Sequence, residues 1–276
     1  MTSEFTSADG PVASHQVPAP GPSAGADDPS GSVPTIVDRG ASLTSRATLA
    51  ISRALWSSRA DSWAEQGSQP LSAVVAAVVE EAAPRPGAVV LDMGCGSGQV
   101  SFPLARLGAK VLAVDIDAES IALMQRRAAE AGIDTVTGAV HPLETLDLAH
   151  HSLDLIVSNY AMHHLRDADK QVVLERARLW LRPGGRLVIG DMMFGRGAAA
   201  GDREIIASKV RSLATRGPAG WWRILKNAVR FLLRFQEKPL RPERWSEMIS
   251  AAGFEHVVTR HVVAEAHVVS ATTPLA

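Results

Sequence analysis

The most constraining feature of this 276-residue chain is a glycine-rich turn that directly follows an apolar run. Val89–Leu91 has the composition of a buried strand, and residues 92–98 are Asp-Met-Gly-Cys-Gly-Ser-Gly. Glycines let the backbone pass close to a ligand, and the helix that the turn opens offers free N–H groups to a carboxylate or phosphate. The sequence therefore predicts a strand, a ligand-binding turn and a helix, in that order.

The turn belongs to a longer alternation of apolar runs and helices. Helices are predicted at Ala118–Ala131 and Lys170–Leu181, and two adjacent apolar runs close the chain at Val257–Val263 and Val268–Ser270. The other predicted strands are Val111–Val114, Thr135–Thr137, Leu153–Val157 and Arg186–Ile189. Strands that alternate with helices form crossover units on a parallel sheet. We therefore expect an α/β fold with a doubly wound, mostly parallel sheet and helices on both faces.

Composition and periodicity divide the chain into segments. Residues 1–40 are predicted to be a disordered tail, because residues 1–34 hold six Pro and four Gly but no Lys or Arg. Residues 41–276 are predicted to form one domain. Within it, residues 41–84 have apolar side chains at helical spacing and are expected to form a cap, and residues 192–244 are expected to form a helical lid insertion before the last hairpin.

Charge and cysteine content exclude several classes of function. The 28 basic and 29 acidic residues give a net charge of −1, which argues against a nucleic acid partner. The single cysteine, Cys95, excludes an internal disulfide, a cysteine-rich zinc site and an iron–sulfur cluster, and no metal site is expected. The sequence has no signal-peptide pattern and no apolar run of roughly 18–20 residues. We therefore expect a soluble, cytoplasmic protein.

An acidic residue after the second predicted strand indicates what the turn binds. Asp115 lies 21 residues after Gly94, a spacing at which a carboxylate can accept both hydroxyls of a ribose. A dinucleotide fingerprint needs a third glycine three residues after the second, where this chain has Gln99. The spacing favours S-adenosylmethionine, and a nicotinamide-dependent Rossmann oxidoreductase is the alternative.

Four segments resemble the motifs of the class I, Rossmann-like S-adenosylmethionine-dependent methyltransferases of the small-molecule type. These segments follow the family order over residues 56–190: Leu91–Gly98, Ala113–Ile116, Leu153–Asn159 and Leu181–Leu187. Trp245–Phe254 extends the resemblance to the last hairpin. The resemblance implies a seven-stranded sheet and methyl transfer to a small molecule.

The resemblance also implies roles for individual residues. It assigns Asp115 to the ribose, Ile116 to the adenine and Asn159 to the methionine end of the cofactor. The turn residues implied to cradle the methionine part are Gly94, Cys95, Gly96 and Gly98. Many relatives have Gly-Asp after the third strand, whereas here the glycine is followed by Ala139 and Val140. The adenine contact at these two positions is therefore expected to come from backbone atoms.

The candidate catalytic residues follow the fourth strand. Tyr160 and His164 are implied to contact the cofactor and to line the passage to the acceptor, and His163 joins them because imidazole titrates near neutrality. The alternative is that the two histidines only line or pack the site. Asp92 either orients the ammonium of the cofactor or satisfies N–H groups of the turn. The Cys95 thiol is interpreted as a small residue that fits the turn rather than as a nucleophile.

These features predict transfer of a methyl group from S-adenosylmethionine to a small, lipophilic or anionic acceptor, with oxygen or carbon as the favoured acceptor atom. Catalysis of this kind depends mainly on in-line positioning and desolvation. The main alternative is a protein that binds the cofactor without catalysing a reaction.

A basic segment lies within the predicted lid insertion. From Ile205 to Arg241 the chain holds nine basic residues and one acid. Within Gly220–Phe235, four cationic side chains recur at helical spacing: Arg223, Lys226, Arg230 and Arg234. The functional interpretation is attraction of an anionic substrate or a weak contact with a membrane surface. The structural interpretation is the solvated face of a lid helix.

Replacing these four side chains together by Gln distinguishes the two interpretations. We expect wild-type kinetics at every ionic strength and unchanged cosedimentation with liposomes, because a cationic helix face is usually only solvated. A higher apparent KM with a flatter salt dependence would instead indicate recruitment, since screening at about 0.15 M salt acts over roughly 8 Å. Affinity for the cofactor is the control and should not change.

Overall fold

The structure, a computed structural model, describes residues 32–38, 69–194 and 238–276. Within them, seven strands form one sheet in the order β4-β3-β2-β6-β7-β9-β8, and a separate pair joins β1 to β5. Numbered along the chain, the strands are β1 (Val37–Asp38), β2 (Val89–Met93), β3 (Lys110–Asp115), β4 (Val136–Val140), β5 (Leu146–Asp147), β6 (Leu153–Asn159), β7 (Leu181–Met192), β8 (Glu255–Val263) and β9 (Ala266–Thr272). In this sheet β4, β3, β2, β6 and β7 are parallel to one another, and β9 is antiparallel to both of its neighbours, β7 and β8. The predicted seven-stranded, mostly parallel sheet is confirmed.

Helices cover both faces of this sheet. Those in the described residues are α1 (Gln69–Ala82), α2 (Ser101–Arg106), α3 (Ala118–Glu130), α4 (Asp167–Trp180) and α5 (Pro242–Ala251), with a 3-10 turn at Met162–His164. One face packs against α4 and α5, whose Trp180 and Trp245 share a buried cluster with Leu91. The opposite face, which includes Val90, packs against α1, α2 and α3. Because β2 is buried on both sides, its first three residues form a continuous apolar run rather than an alternation. None of the described helices is long and apolar enough to cross a membrane.

The strand order creates a crevice at the carboxyl edge of the sheet. β2 lies between β3 and β6. The chain therefore adds β3 and β4 on one side of β2 and then adds β6 and β7 on its other side. In open α/β sheets, ligands bind where the strand order reverses, outside the carboxyl ends of the strands. The glycine turn directly follows β2 and therefore lies at this edge.

Helix α1 lies in the core, whereas its residues were predicted from the sequence to belong to a cap. Val78 of α1 is fully buried, and a Cβ added to Gly190 of β7 would lie 2.4 Å from its side chain. The last part of the segment predicted as a cap, residues 41–84, is therefore a layer of the core. Residues 41–68 and 195–237 lie outside the described residues, and with them the basic segment at residues 220–235 and most of the predicted lid.

Part of the predicted disordered tail also packs on the domain. β1 pairs in antiparallel fashion with β5, and Val33 and Ile36 pack against a core cluster. The composition of residues 1–34 predicts disorder because its average conceals Val33, and Ile36 lies beyond that segment. Residues 32–38 thus belong to the domain, whereas residues 1–31 lie outside the described residues.

Two truncations should separate the contribution of β1 from that of the residues before it. Deletion of residues 1–31 leaves Val33 and Ile36 in place, and the Tm should equal that of the full chain. Deletion of residues 1–38 removes their partly buried side chains, which should cost about 1–3 kcal/mol. The Tm should then fall by roughly 2–10 °C. Scanning calorimetry of both truncations measures the difference, and equal Tm values would contradict a stabilising role for β1.

Candidate functional site

A cavity opens at the carboxyl ends of β2, β3 and β6, and most of the residues predicted from the sequence line it. The predicted residues in its wall are Asp92, Gly94, Cys95, Gly96, Asp115, Ile116, Asn159, Tyr160 and His164. Four other predicted residues, Gly98, Ala139, Val140 and His163, do not belong to the lining. The sheet thus brings segments that are distant in sequence to one place.

The glycine turn is held against the end of β3 by its own backbone. Gly94 and Cys95 both donate their N–H groups to the carbonyl oxygen of Val114, at 2.8 and 3.1 Å. Gly94 has φ +72°, and a Cβ on it would lie 2.2 Å from the Cβ of Ala161. Only glycine fits this backbone conformation and this close approach. The turn therefore packs directly against the segment that follows β6.

Asp115 is fixed by the same turn. Its Oδ2 accepts the N–H of Gly96 at 2.8 Å, and its Oδ1 accepts the N–H of Asp117 at 2.9 Å. Burial raises the pKa of the Asp115 carboxyl above its usual value, although these two hydrogen bonds oppose the rise. Each carboxylate oxygen has a second lone pair, so Asp115 can still accept hydrogen bonds from a ligand in the cavity.

Gly98 is required by packing rather than by a ligand. It has φ +90°, and a Cβ on it would lie 2.8 Å from the ring of Phe102 and 2.9 Å from the side chain of Met124. The implied role of Gly98 in cradling a cofactor is therefore corrected to a role in joining the turn to α2 and α3.

Asp92 lies beneath the turn and is almost completely buried. Its Oδ2 accepts the hydroxyl of Ser101 at 2.6 Å, which joins Asp92 to the first residue of α2. Burial, together with the charge of Asp115, raises the pKa of Asp92 to about 7. Burial and the same two carboxylates raise the pKa of the Cys95 thiol, which therefore stays protonated and is not an activated nucleophile.

The end of β6 contributes an amide and a phenol to the wall. The Oδ1 of Asn159 is buried and has no hydrogen-bond partner among the residues that the structure describes. Tyr160 has φ +51°, a conformation held by its N–H bond to the carbonyl of Gly190 at 2.8 Å. Burial, and then the charges of Glu265 and Asp191, raise the pKa of the Tyr160 hydroxyl, so the phenol remains a hydrogen-bond donor.

The adjacent histidines occupy different environments. His164 lines the cavity, whereas His163 is buried with its Nδ1 2.5 Å from Oδ1 of Asp191. The backbone N–H of His163 donates to the other oxygen of Asp191 at 2.9 Å. The centroids of the His163 and His164 rings are 3.8 Å apart. The candidate catalytic role of His163 is therefore corrected, because its ring lies behind the wall and its Nδ1 is engaged by Asp191.

Residues in the loop after β4 line the cavity in place of Ala139 and Val140, which were predicted to contact adenine. Val140 is 43% exposed and Ala139 packs against a core cluster, and neither lines the cavity. Beyond His141 and Pro142 the chain turns toward the site, so that Leu143 and Glu144 line it instead. The lining also includes eight residues that were not predicted from the sequence: Leu71, Ser97, Gln99, Val100, Asp117, Ser120, Ala161 and Leu165. Of these, Asp117 and Ser120 had a recognisable signal, since Asp117 caps α3 by accepting the N–H of Ser120.

The described lining of the cavity is acidic. It contains the carboxyl groups of Asp92, Asp115, Asp117 and Glu144 but no Lys or Arg. Burial raises the pKa of Glu144 as well. Such a wall favours a cationic or neutral ligand, because an anion would face several carboxylates in a partly desolvated place.

Comparison with known proteins relates the chain to methyltransferases. Residues 90–185 match a family model described as a methyltransferase domain. The ubiquinone biosynthesis O-methyltransferases of Agrobacterium fabrum and Sinorhizobium fredii are 32% and 28% identical over 175 residues, which cover 62% of this chain and 61% and 62% of those proteins. The chain thus spans less than two thirds of the length of these curated relatives.

A solved structure shares the fold. The 1,6-didemethyltoxoflavin-N1-methyltransferase of Burkholderia thailandensis, crystallised with 1,6-didemethyltoxoflavin and S-adenosylhomocysteine, aligns with a TM-score of 0.58 and 19% identity. The alignment covers 88% of this chain and all of that one.

The buried Asp92 should make stability depend on pH. Its pKa is about 7 in the folded protein against an ordinary 3.8. The folded state therefore binds more protons than the unfolded chain between these values, and the free energy of unfolding should fall as the pH rises through this window. Asp92→Asn retains an acceptor for Ser101 but has no proton to lose. It should gain stability relative to wild type as the pH rises, by up to about 4 kcal/mol above pH ~7.

Denaturant titrations at a series of pH values measure this difference. Asp134→Asn, which changes an exposed acid, is the control and should parallel wild type. A difference between Asp92→Asn and wild type that stays constant across the window would mean that the Asp92 carboxyl is ionised throughout.

Proposed function

We propose that this chain is a class I S-adenosylmethionine-dependent methyltransferase that transfers a methyl group from S-adenosylmethionine to a small lipophilic acceptor. The acidic cavity at the switch point of the sheet is the observation that carries the proposal. S-adenosylmethionine carries a sulfonium, an ammonium and one carboxylate and is therefore a net cation. A wall with four carboxyl groups and no described basic side chain fits this charge.

The residues in the wall fit the parts of the cofactor. The buried Oδ1 of Asn159 needs a hydrogen-bond donor, which the ammonium of the methionine part provides. Asp115 offers the free lone pairs of its two oxygens to the ribose hydroxyls. Ile116 and Leu143 offer apolar surface to the adenine ring. Asp92 lies deeper and is bonded to Ser101, so no direct contact with the cofactor is assigned to it.

The acceptor side of the cavity consists of Tyr160, His164, Leu71 and Leu165. The bound cofactor supplies an electrophilic methyl group, so the remaining task of the protein is to hold the acceptor in line with it and to exclude water. The Tyr160 phenol, which remains protonated, can donate a hydrogen bond to an acceptor oxygen. The imidazole of His164 can receive the proton that an acceptor hydroxyl loses.

The same wall favours a neutral, lipophilic acceptor over an anionic one. Leu71 and Leu165 supply apolar surface, whereas Glu144 would repel a negatively charged acceptor. The similarity to ubiquinone biosynthesis O-methyltransferases supports oxygen as the acceptor atom and a ring compound as the substrate class. A phenol or hydroquinone with an apolar substituent combines these requirements.

A nicotinamide-dependent oxidoreductase is disfavoured by electrostatics. The pyrophosphate of a dinucleotide would lie at the glycine turn, beside Asp92 and Asp115 and without a basic side chain in the described lining. A glycine turn can cradle phosphates, but here these carboxylates oppose the anion.

Binding and turnover assays test the proposal. Calorimetry with S-adenosylhomocysteine and with NADH identifies the cofactor class, and transfer of a labelled methyl group to hydroquinone and to dodecyl gallate identifies catalysis. We expect binding of S-adenosylhomocysteine and labelling of the lipophilic phenol. Binding without transfer to any acceptor, including an extract of small molecules, would support an inactive cofactor-binding protein. Binding of NADH alone would overturn the assignment.

The role proposed for Asp115 predicts a defined loss of affinity. Asp115→Asn removes the charge and one acceptor from the ribose site, so the affinity for S-adenosylhomocysteine should fall by about 1–3 kcal/mol. The matched control is again Asp134→Asn, an exposed acid between α3 and β4, which should bind like wild type. Calorimetric titration of both variants measures the change, and equal affinities would locate the ribose elsewhere.

A further inference from the structure

Lys170, in the first turn of α4, is a lysine with a completely buried side chain. Its Nζ donates to Oδ1 of Asp167 at 3.1 Å and to the backbone carbonyl of Lys238 at 2.7 Å. Burial lowers the pKa of this ammonium, and the charges of Asp167 and Asp191 oppose the change. A buried ammonium has a desolvation cost that a methionine at the same position would not have. The position therefore uses the charge or the hydrogen bonds of Lys170 and not only its volume.

The two backbone groups of Lys238 connect Lys170 with the cavity wall. While the carbonyl of Lys238 accepts from Lys170, its N–H donates to the carbonyl of His163 at 2.7 Å. His163 is in turn fixed on its other side by Asp191, through its ring and its N–H. The next residue is His164, which faces the cavity. A short chain of hydrogen bonds thus leads from the buried ammonium to the acceptor side of the site.

We propose that Lys170 is a positioning residue for the acceptor side of the cavity, acting through the backbone of Lys238 on the His163–His164 segment. The inference rests on the function proposed above and adds to it a residue that touches neither cofactor nor acceptor. Loss of the Lys170 ammonium removes one hydrogen bond to the Lys238 carbonyl and weakens the link between Lys238 and His163. The cofactor side of the cavity, formed by the glycine turn and Asp115, has separate supports and should not respond.

Three variants separate positioning from packing. Lys170→Met keeps an unbranched side chain of similar length but has no donor. Lys170→Arg retains a charged donor and should restore much of the wild-type behaviour. Gln171→Met is the matched control on the same helix, because it loses only an exposed hydrogen bond to Glu175. Binding of S-adenosylhomocysteine verifies that each variant is folded.

Hydrogen exchange gives a readout that does not depend on turnover. In Lys170→Met, the amides of residues 161–165 and of Lys238 should exchange about tenfold faster than in wild type, since a hydrogen bond to a charged group has been removed. Amides of β2 and of the glycine turn should be unaffected. Lys170→Arg should return the rates toward wild type, and Gln171→Met should not change them.

Kinetics with dodecyl gallate supply the second readout. The KM for this acceptor should rise about tenfold in Lys170→Met, while the KM for S-adenosylmethionine and the Kd for S-adenosylhomocysteine stay at wild-type values. Wild-type exchange rates and a wild-type acceptor KM in Lys170→Met would overturn the positioning role, as would an equal loss on the cofactor side. Failure of the proposed function is distinct, because it would appear as absence of transfer by the wild-type protein.

Discussion

The positions of the glycine turn and of Asp115 in the site depend on two hydrogen bonds that fold the turn onto the end of β3. Gly94 and Cys95 share the carbonyl of Val114 as acceptor, and the parallel register of β2 and β3 pairs that residue with Met93, immediately before the turn. Because the two strands end at the same level, the next free amide, that of Gly96, reaches Asp115. The pairing of β2 with β3 therefore determines where the glycine turn and Asp115 lie.

The second constraint is electrostatic. Burial raises the pKa of Asp92, Asp115 and Glu144, which means that the free protein holds these carboxyl groups at an energetic cost. The buried oxygen of Asn159 adds an acceptor with no partner among the described residues. Such groups contribute little to stability but suit a cationic ligand, and this division between stability and function is common at binding sites.

Local sequence patterns were sufficient to predict the main strands of the sheet, the glycine turn and the position of Asp115 after the second predicted strand. Strand periodicity, turn glycines and an acid at the end of a strand depend on neighbouring residues, so they can be recognised without knowledge of the fold. The resemblance to the class I methyltransferases, rather than these patterns, predicted that the end of β6, including Asn159 and Tyr160, belongs to the site. The patterns could not distinguish Gly98, which serves packing, from Gly96, because both need a positive φ and the difference lies in the contacts with Phe102 and Met124.

The tertiary structure decided which of several adjacent side chains face the cavity. His163 and His164 have the same chemistry, but Asp191, at the end of β7, holds His163 in the core and leaves His164 in the wall. Lys170 likewise acquires its role only when Lys238, far along the chain, comes within 2.7 Å. Sequence by itself determined the sheet, its ligand-binding edge and the residues that follow each strand, since these are local properties. Only the folded chain determined the orientation of those residues, because contacts between distant segments fix it.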